Sequence, residues 1–255
     1  MLIDSHCHFC FPDLQADSAG VLERMHAAGV ERALNISTST TDLVPVVEFA
    51  QAHEGIYATV GIHPDNEEAS EPDVATLVRH ARADKVVGIG ETGLDYYRLR
   101  EPLDWQRDRF RTHIRAARES GKPLIIHTRS SAEDTLRIMR EERAQDVGGV
   151  MHCFTETADV ARAAIDLGFL ISFSGIITFK SASDLRAVAA QLPDNAILVE
   201  TDSPFLAPVP HRGKSNEPAW VAHVATLLAQ LRGQSVDHIH KITGDNFLRL
   251  FNILN

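Results

Sequence analysis

The sequence predicts an α/β fold, and specifically a single-domain (β/α)8 TIM barrel. Three observations carry this. Eight short apolar runs alternate with amphipathic stretches, the long connections all follow the apolar runs, and 255 residues is a common length for one such barrel. The apolar runs span 2–9, 32–38, 56–63, 85–91, 124–128, 149–154, 170–174 and 197–202. Several, such as Val86-Val87-Gly88-Ile89, are nearly continuous in apolar residues, as strands covered on both faces require. Between them, stretches such as 19–28, 42–52, 105–120, 132–142, 158–167 and 184–191 carry apolar residues at helical spacing. Strand and helix in strict alternation mean parallel strands with crossover helices. A doubly wound open sheet shares that order, and eight units favour the closed form. Two helical stretches, 218–232 and 236–254, end the chain.

Loop chemistry sets the working end. Gly29, Gly121 and Gly168 each end a helical pattern shortly before the next strand, where the chain turns with positive φ. These connections are short, whereas the long ones, 64–72, 92–104 and 203–218, follow strands. A barrel elaborated after its strands works at their C-terminal ends.

Composition narrows the function classes. A net charge of −10 argues against a broad basic surface that coats nucleic acid, but not against a local grip on a few phosphates. The first residues lack a basic stretch followed by an apolar run, and no run approaches 18 apolar residues, so no targeting segment and no membrane partner are expected. Cys7, Cys10 and Cys153 are an odd number without disulfide spacing, which predicts a reducing, cytoplasmic setting. Oligomeric state is left open.

The ionisable residues converge on that frame. His6 and His8 stand two apart in the first strand, so they share a face. Glu91 ends the fourth strand, His127 the fifth, His152 the sixth and Asp202 the eighth, while His63 ends the third. All should meet at one mouth. Six ligands exceed one open catalytic metal, which takes about three protein groups plus water. Two divalent ions accommodate them: His6, His8 and Asp202 on one, His127 and His152 on the other, Glu91 between. Such a pair yields a hydroxide nucleophile at neutral pH and clamps phosphoryl or tetrahedral oxygens. Asp202 is the group to accept the proton. Imidazole donors suit zinc and manganese, while carboxylates and a phosphate substrate suit magnesium or manganese.

The motifs Asp4-Ser5-His6-Cys7-His8, Gly61-Ile62-His63-Pro64, Gly88-Ile89-Gly90-Glu91-Thr92-Gly93-Leu94-Asp95-Tyr96, Pro123-Leu124-Ile125-Ile126-His127-Thr128-Arg129, Met151-His152-Cys153-Phe154 and Glu200-Thr201-Asp202-Ser203-Pro204 run through essentially the whole chain. The segment His211-Arg212-Gly213-Lys214-Ser215-Asn216-Glu217-Pro218 accompanies them. Together they resemble the amidohydrolase superfamily, and within it the TatD-like metal-dependent deoxyribonucleases. Many superfamily relatives bridge their metals with a modified lysine on the fourth strand. Here Glu91 holds that place, and Lys85 opens the strand at the opposite rim. The resemblance implies hydrolysis of DNA phosphodiesters, as a 3′-directed exonuclease on single-stranded or frayed ends. Hydrolysis of an ester, amide or lactone, such as that by a D-aminoacyl-tRNA deacylase, is the alternative. A non-catalytic barrel is disfavoured, since ligands in an open mouth serve no evident structural purpose.

Substrate contacts follow. Arg129 and Arg212, with Lys214, surround the mouth with cations suited to phosphate. His63 is either a phosphate contact, a group behind the ligands, or a brace within its own Pro64-containing turn. Of Tyr96 and Tyr97, one should contact a base and the other pack, with nothing to choose between them.

Three signals are discounted. Gly88-x-Gly90-x-x-Gly93 matches the dinucleotide fingerprint, but two of its glycines fall inside the strand and 94–102 reads as a loop, so no nucleotide cofactor is expected. Cys7 and Cys10 form C-x-x-C within a strand rather than at a helix start, and Cys7 should point outward into packing. Arg107, Arg109, Arg111, Arg115 and Arg118 read as a solvated helix face.

Overall fold

The computed structural model describes residues 1–67, 69–99 and 103–254. Eight strands, β1 (Leu2–Cys7), β2 (Val30–Asn35), β3 (Ile56–Val60), β4 (Val86–Asp95), β5 (Leu124–Arg129), β6 (Gly149–Met151), β7 (Phe169–Phe173) and β8 (Ile197–Val199), pair in sequence order, every pair parallel. The ring closes where Cys7 bridges Ser203 and His8 N–H donates to the Ser203 carbonyl at 2.9 Å. The fold is the predicted (β/α)8 barrel.

The helices are α1 (Pro12–Gln15), α2 (Ser18–Ala27), α3 (Leu43–Ala52), α4 (Val74–Ala81), α5 (Asp104–Ser120), α6 (Ala132–Glu141), α7 (Ala158–Asp166), α8 (Ser183–Gln191), α9 (Val221–Arg232) and α10 (Val236–Leu250). The longer helices bury apolar residues against the strands or against neighbouring helices. In α5, Phe110, Ile114 and Ala117 recur at helical spacing and are fully buried. Gly121 ends that helix with φ +67°, a turn glycine makes without strain. Helix α4 was absent from the sequence reading, although Val74, Leu77, Val78 and Ala81 sit at i, i+3, i+4 and i+7, and the Asp73 carboxylate caps it by accepting from Thr76 N–H at 2.7 Å.

Inside the barrel, Ile3, Leu34, Ile125, Val150 and Leu198 pack on Phe247 and Phe251, so α10 and the residue after it plug the N-terminal end. With that end sealed, the opposite mouth is the open one. β1 reaches it through a slip of register between Asp4 and Cys7. Ser5 faces inward to Ser172, Oγ to Oγ 3.0 Å, and beyond the slip His6 and His8 face inward while Cys7 packs outward with Leu14 and Met25. Buried Asp4 holds this seam, accepting from Thr201 N–H at 2.8 Å and Thr201 Oγ1 at 2.6 Å.

Several boundaries differ from expectation. β1 stops at Cys7, β2 spans Val30–Asn35, and β3 stops at Val60, so His8 and His63 stand past their strands. β4 runs on to Asp95, so Glu91 lies in mid-strand, and all three glycines of the dinucleotide-like motif belong to the strand. Of the expected 94–102 loop, Leu94 and Asp95 are strand, and residues 100–102 lie outside the described residues. β6 and β8 stop at Met151 and Val199, so His152 and Asp202 stand just past their strands. Gly90 and Gly93 admit the backbone of β5, since a Cβ on Gly90 would lie 2.6 Å from the Ile125 carbonyl and one on Gly93 would strike that of His127.

Candidate metal centre

Glu91 is the hub of the mouth and is 2% exposed. Its Oε2 lies 3.3 Å from His6 Nε2. Its Oε1 lies 3.3 Å from His63 Nε2, 3.3 Å from His127 Nδ1 and 3.0 Å from His152 Nε2. One carboxylate therefore offers its two oxygens to two different groups of imidazoles. His6 Nε2 is also 3.2 Å from His8 Nε2 and 3.6 Å from Asp202 Oδ1, and that oxygen is 3.5 Å from His8 Nε2. The rings of His6 and His152 stack at 3.7 Å and join the two halves. All six residues expected as ligands are brought together.

His63 was expected behind this ring of groups or on a phosphate. It stands within the ring, as near to Glu91 as His127, and His63, Glu91 and His127 present their donor atoms within 4.8 Å of one another. It also braces its own turn, since its Nδ1 bonds the Asp65 carboxylate.

The far nitrogens of His8, His127 and His152, like that of His63, are tied down, which fixes the orientation of those rings. His8 Nδ1–H donates to the Ile36 carbonyl at 3.2 Å, His127 Nε2 meets Asp95 Oδ2 at 3.1 Å, and His152 Nδ1 meets Glu200 Oε1 at 3.0 Å. Glu200 Oε1 also accepts from Cys153 N–H at 2.8 Å. Sequence reasoning assigned no role to Asp65, Asp95 or Glu200. The spacing His63-x-Asp65 and the acid two before Asp202 were the available signals.

Helix α5 stands behind the β3 loop. Gln106 Nε2 donates to the Pro64 carbonyl at 3.0 Å, and buried Arg109 donates to the carbonyls of His63 at 3.2 Å and Asn66 at 2.8 Å while gripping Glu71 with two nitrogens. His113 Nε2 accepts from Ile62 N–H at 3.1 Å, one residue before His63, and its Nδ1–H donates to the Arg109 carbonyl at 2.8 Å. Arg111, Arg115 and Arg118 pair with Glu141, Glu142 and Asp146 on neighbouring elements, as a solvated face should. Burial lowers the His113 pKa from 6.5 to about 4, with the Arg109 charge adding to it. The unfolded chain therefore binds this proton first as pH falls. Stability from His113 is complete above pH 6.5 and is lost on the way down through pH 4, by on the order of 3 kcal/mol. Denaturant unfolding at pH 7 and pH 4.5 should show a smaller pH effect in His113→Gln than in the wild type. Equal pH effects would contradict this.

The electrostatics suit cations. Burial alone would raise the Glu91 carboxyl, but the charges of His152, His63 and His6 hold it well below its usual range. Burial would lower the His152 imidazole, yet Glu91 and Glu200 raise it well above the ordinary range, and Glu91 with Asp65 raises His63 to about 9 against its own burial. Burial pushes the Asp202 carboxyl up, and the His8 hydrogen bond with the His152 and His6 charges brings it down overall. Without a cation the cluster balances its carboxylates with imidazole protons. A divalent ion would replace those protons, so binding releases them. The donors fit such an ion: His6 is wholly buried, its Nδ1 has no partner, and its Nε2 faces three other N and O donor atoms. Lys85 donates to the Ala50 and His53 carbonyls, away from the centre.

Above the cluster opens a cavity of about 640 Å³, lined among others by Glu91, Asp202, Arg98 and Arg129. Arg129 lies over the Tyr97 ring at 4.0 Å. Arg212, an expected contact, and Tyr96, one of the two tyrosines of which one was expected to pack, stand elsewhere. Tyr96 gives its hydroxyl to Asp134 at 2.6 Å and does not line the cavity, and Arg212 rests over the Phe179 ring at 3.6 Å. Cys7 Sγ–H points to the Leu34 carbonyl and Asn35 donates to Cys10 Sγ, so the C-x-x-C pair is packing.

A (β/α)8 barrel with imidazoles and carboxylates gathered at its C-terminal mouth defines a metal-dependent hydrolase. A family model described as TatD related DNase matches residues 3–252, and the chain belongs to the TatD family. The metal-dependent hydrolase YcfH of Escherichia coli strain K12 is 45% identical over 256 residues, 99% of this chain and 96% of the relative. YabD of Bacillus subtilis strain 168, also named a metal-dependent hydrolase, is 41% identical over 254 residues, 99% of this chain and all of the relative. The crystal structure of YjjV, a TatD homolog from Escherichia coli K12, superposes with a TM-score of 0.92 at 29% identity, covering 99% of this chain and 98% of that one. Among the described residues no helix is long and apolar enough to cross a membrane.

Proposed function

We propose that this chain is a deoxyribonuclease that removes nucleotides from the 3′ ends of single-stranded or frayed DNA, using two divalent ions. The observation that carries the reading is Glu91, whose two oxygens face separate imidazole groups at the floor of one cavity. His6, His8 and Asp202 would hold one ion, and His127 and His152, with His63 beside them, the other. Magnesium, manganese and zinc all fit this mixed donor set. When bound, such ions acidify water to near neutrality and clamp phosphoryl oxygens.

The protein's own groups do the rest. Asp202 lines the cavity beside His6 and His8, and its depressed carboxyl is ionised at neutral pH, ready to accept the proton of the attacking water. Arg129 reaches the same cavity, and among the described residues no carboxylate lies within ion-pair distance of it, so its guanidinium is available to a phosphate. The cytoplasm, with its reducing conditions and nucleic acid, is the setting that suits three free cysteines.

End-labelled single-stranded DNA incubated with Mg²⁺, Mn²⁺ or Zn²⁺ should lose mononucleotides from its 3′ end, and elemental analysis should find about two ions per chain. A panel of esters, lactones and charged tRNAs is the comparison. Intact DNA beside a cleaved ester would transfer the same chemistry to a carbon centre and end the nuclease reading.

A further inference from the structure

We infer that the cavity is divided across the barrel into a wall that stacks the 3′-terminal nucleobase, formed by Phe11 and Phe205, and a facing wall where Arg129 holds a phosphate. The inference rests on the nuclease reading and adds to it where the base goes and why an unpaired end is needed.

Strand order places the two walls. In a ring of eight strands, the loops after β7, β8 and β1 stand opposite those after β3, β4 and β5. Ile176 follows β7, Phe205 and Leu206 follow β8, and Phe11 follows β1. All four line the cavity. Across from them, Arg98 follows β4 and Arg129 ends β5, lining the same cavity. The candidate metal centre lies between. Apolar and cationic linings therefore occupy opposite halves, which matches the base and phosphate halves of one nucleotide.

The aromatic wall is built rather than incidental. Phe11 lies nearly parallel on the His8 ring at 4.6 Å, and Phe205 meets Phe11 edge-on at 5.9 Å. Phe205 is 52% exposed although it stands in the mouth of a buried polar site. Its loop is held firmly. Phe205 N–H donates to the Asp202 carbonyl at 2.9 Å, and its own carbonyl accepts from Asn216 Nδ2 at 2.7 Å, with Asn216 wholly buried. The backbone that carries the ring is thus fixed three residues from Asp202. Phenylalanine has no polar handle, so it stacks on any base without reading its edge. On the other side, Arg98 is taken by Asp65, which leaves Arg129 as the available cation of this wall among the described residues. A paired terminal base is tied to its complement and to the duplex stack, so a frayed or single-stranded end frees it to turn into the cavity and lie on Phe205.

The test compares two oligonucleotides, one ending in a natural 3′ nucleotide and one ending in an abasic residue, with the metal-loaded enzyme. The wild type should release the natural end with kcat/KM about ten-fold higher. Phe205→Ala should reduce that ratio to near one, and Phe205→Trp should preserve it. Arg129→Gln should slow both ends alike and leave the ratio unchanged. Because the ratio is taken within one preparation, a misfolded fraction cancels. As a second readout, a 3′-terminal 2-aminopurine should be quenched on mixing, before product forms, in the wild type and not in Phe205→Ala. A wild-type ratio near one, or an unchanged ratio in Phe205→Ala, overturns the stacking wall while the nuclease reading stands. No release from either DNA end overturns both.

Discussion

Replacing Glu91 by glutamine is expected to lower turnover on the order of 10³-fold or more and to strip the protein of divalent ions. Glutamine keeps the shape of the side chain, so the loss would be one of charge. That charge faces His6 through one oxygen and His63, His127 and His152 through the other, at 2% exposure. Two cations held close together need a negative group between them, and no other carboxylate among the described residues touches both groups at these distances. The metal-free protein offers an independent check. Against burial, Glu91 and Asp65 together raise His63 from 6.5 to about 9, so these pairs stabilise the fold fully below pH 6.5 and less as pH rises towards 9. In metal-free Glu91→Gln that contribution should be smaller, and thermal unfolding between pH 6 and 9 would show it. Retained metal and activity in Glu91→Gln would remove Glu91 from the centre of the site.

The barrel and the histidines and carboxylates gathered at its mouth were legible because each depends on local pattern. Eight apolar runs broken by helical spacing admit few architectures, and a histidine next to a strand end reaches the mouth almost regardless of packing detail. What was not legible depends on contacts between distant segments. Glu200 and His152 are 48 residues apart, and only the closed ring brings Glu200 Oε1 to His152 Nδ1. His113 and Arg109 look like helix-face residues in sequence, yet they are buried supports for the loop that presents His63. Glu91 reads as a strand end because 92–104 reads as a long connection. β4 instead continues to Asp95 because glycine allows the His127 backbone to approach. The expected roles of Tyr96 and Arg212 failed to find the cavity for a related reason. Loop side chains choose their nearest partners, here Asp134 and Phe179, and no sequence spacing encodes that choice.

Asp202→Asn should separate proton transfer from metal holding. Asparagine preserves size and can keep an oxygen towards His6 and His8, but it cannot accept a proton at neutral pH. The expected result is kcat reduced about 10²- to 10⁴-fold with KM little changed and most of the metal retained. The pH dependence carries further information. Because the His8 hydrogen bond and the His152 and His6 charges outweigh burial, the Asp202 carboxyl stays ionised below its ordinary 3.8 in the metal-free site. A fall in wild-type rate between pH 6 and 5 would therefore belong to imidazoles taking protons and releasing metal, and excess metal should move that limb to lower pH. The residual rate of Asp202→Asn should keep such a limb, since the imidazoles remain, although His6 and His8 lose the Asp202 charge beside them. Metal loss in parallel with the fall in rate would trace the loss to the ion that Asp202 helps hold rather than to proton transfer, and activity within ten-fold of the wild type would leave proton transfer to another group.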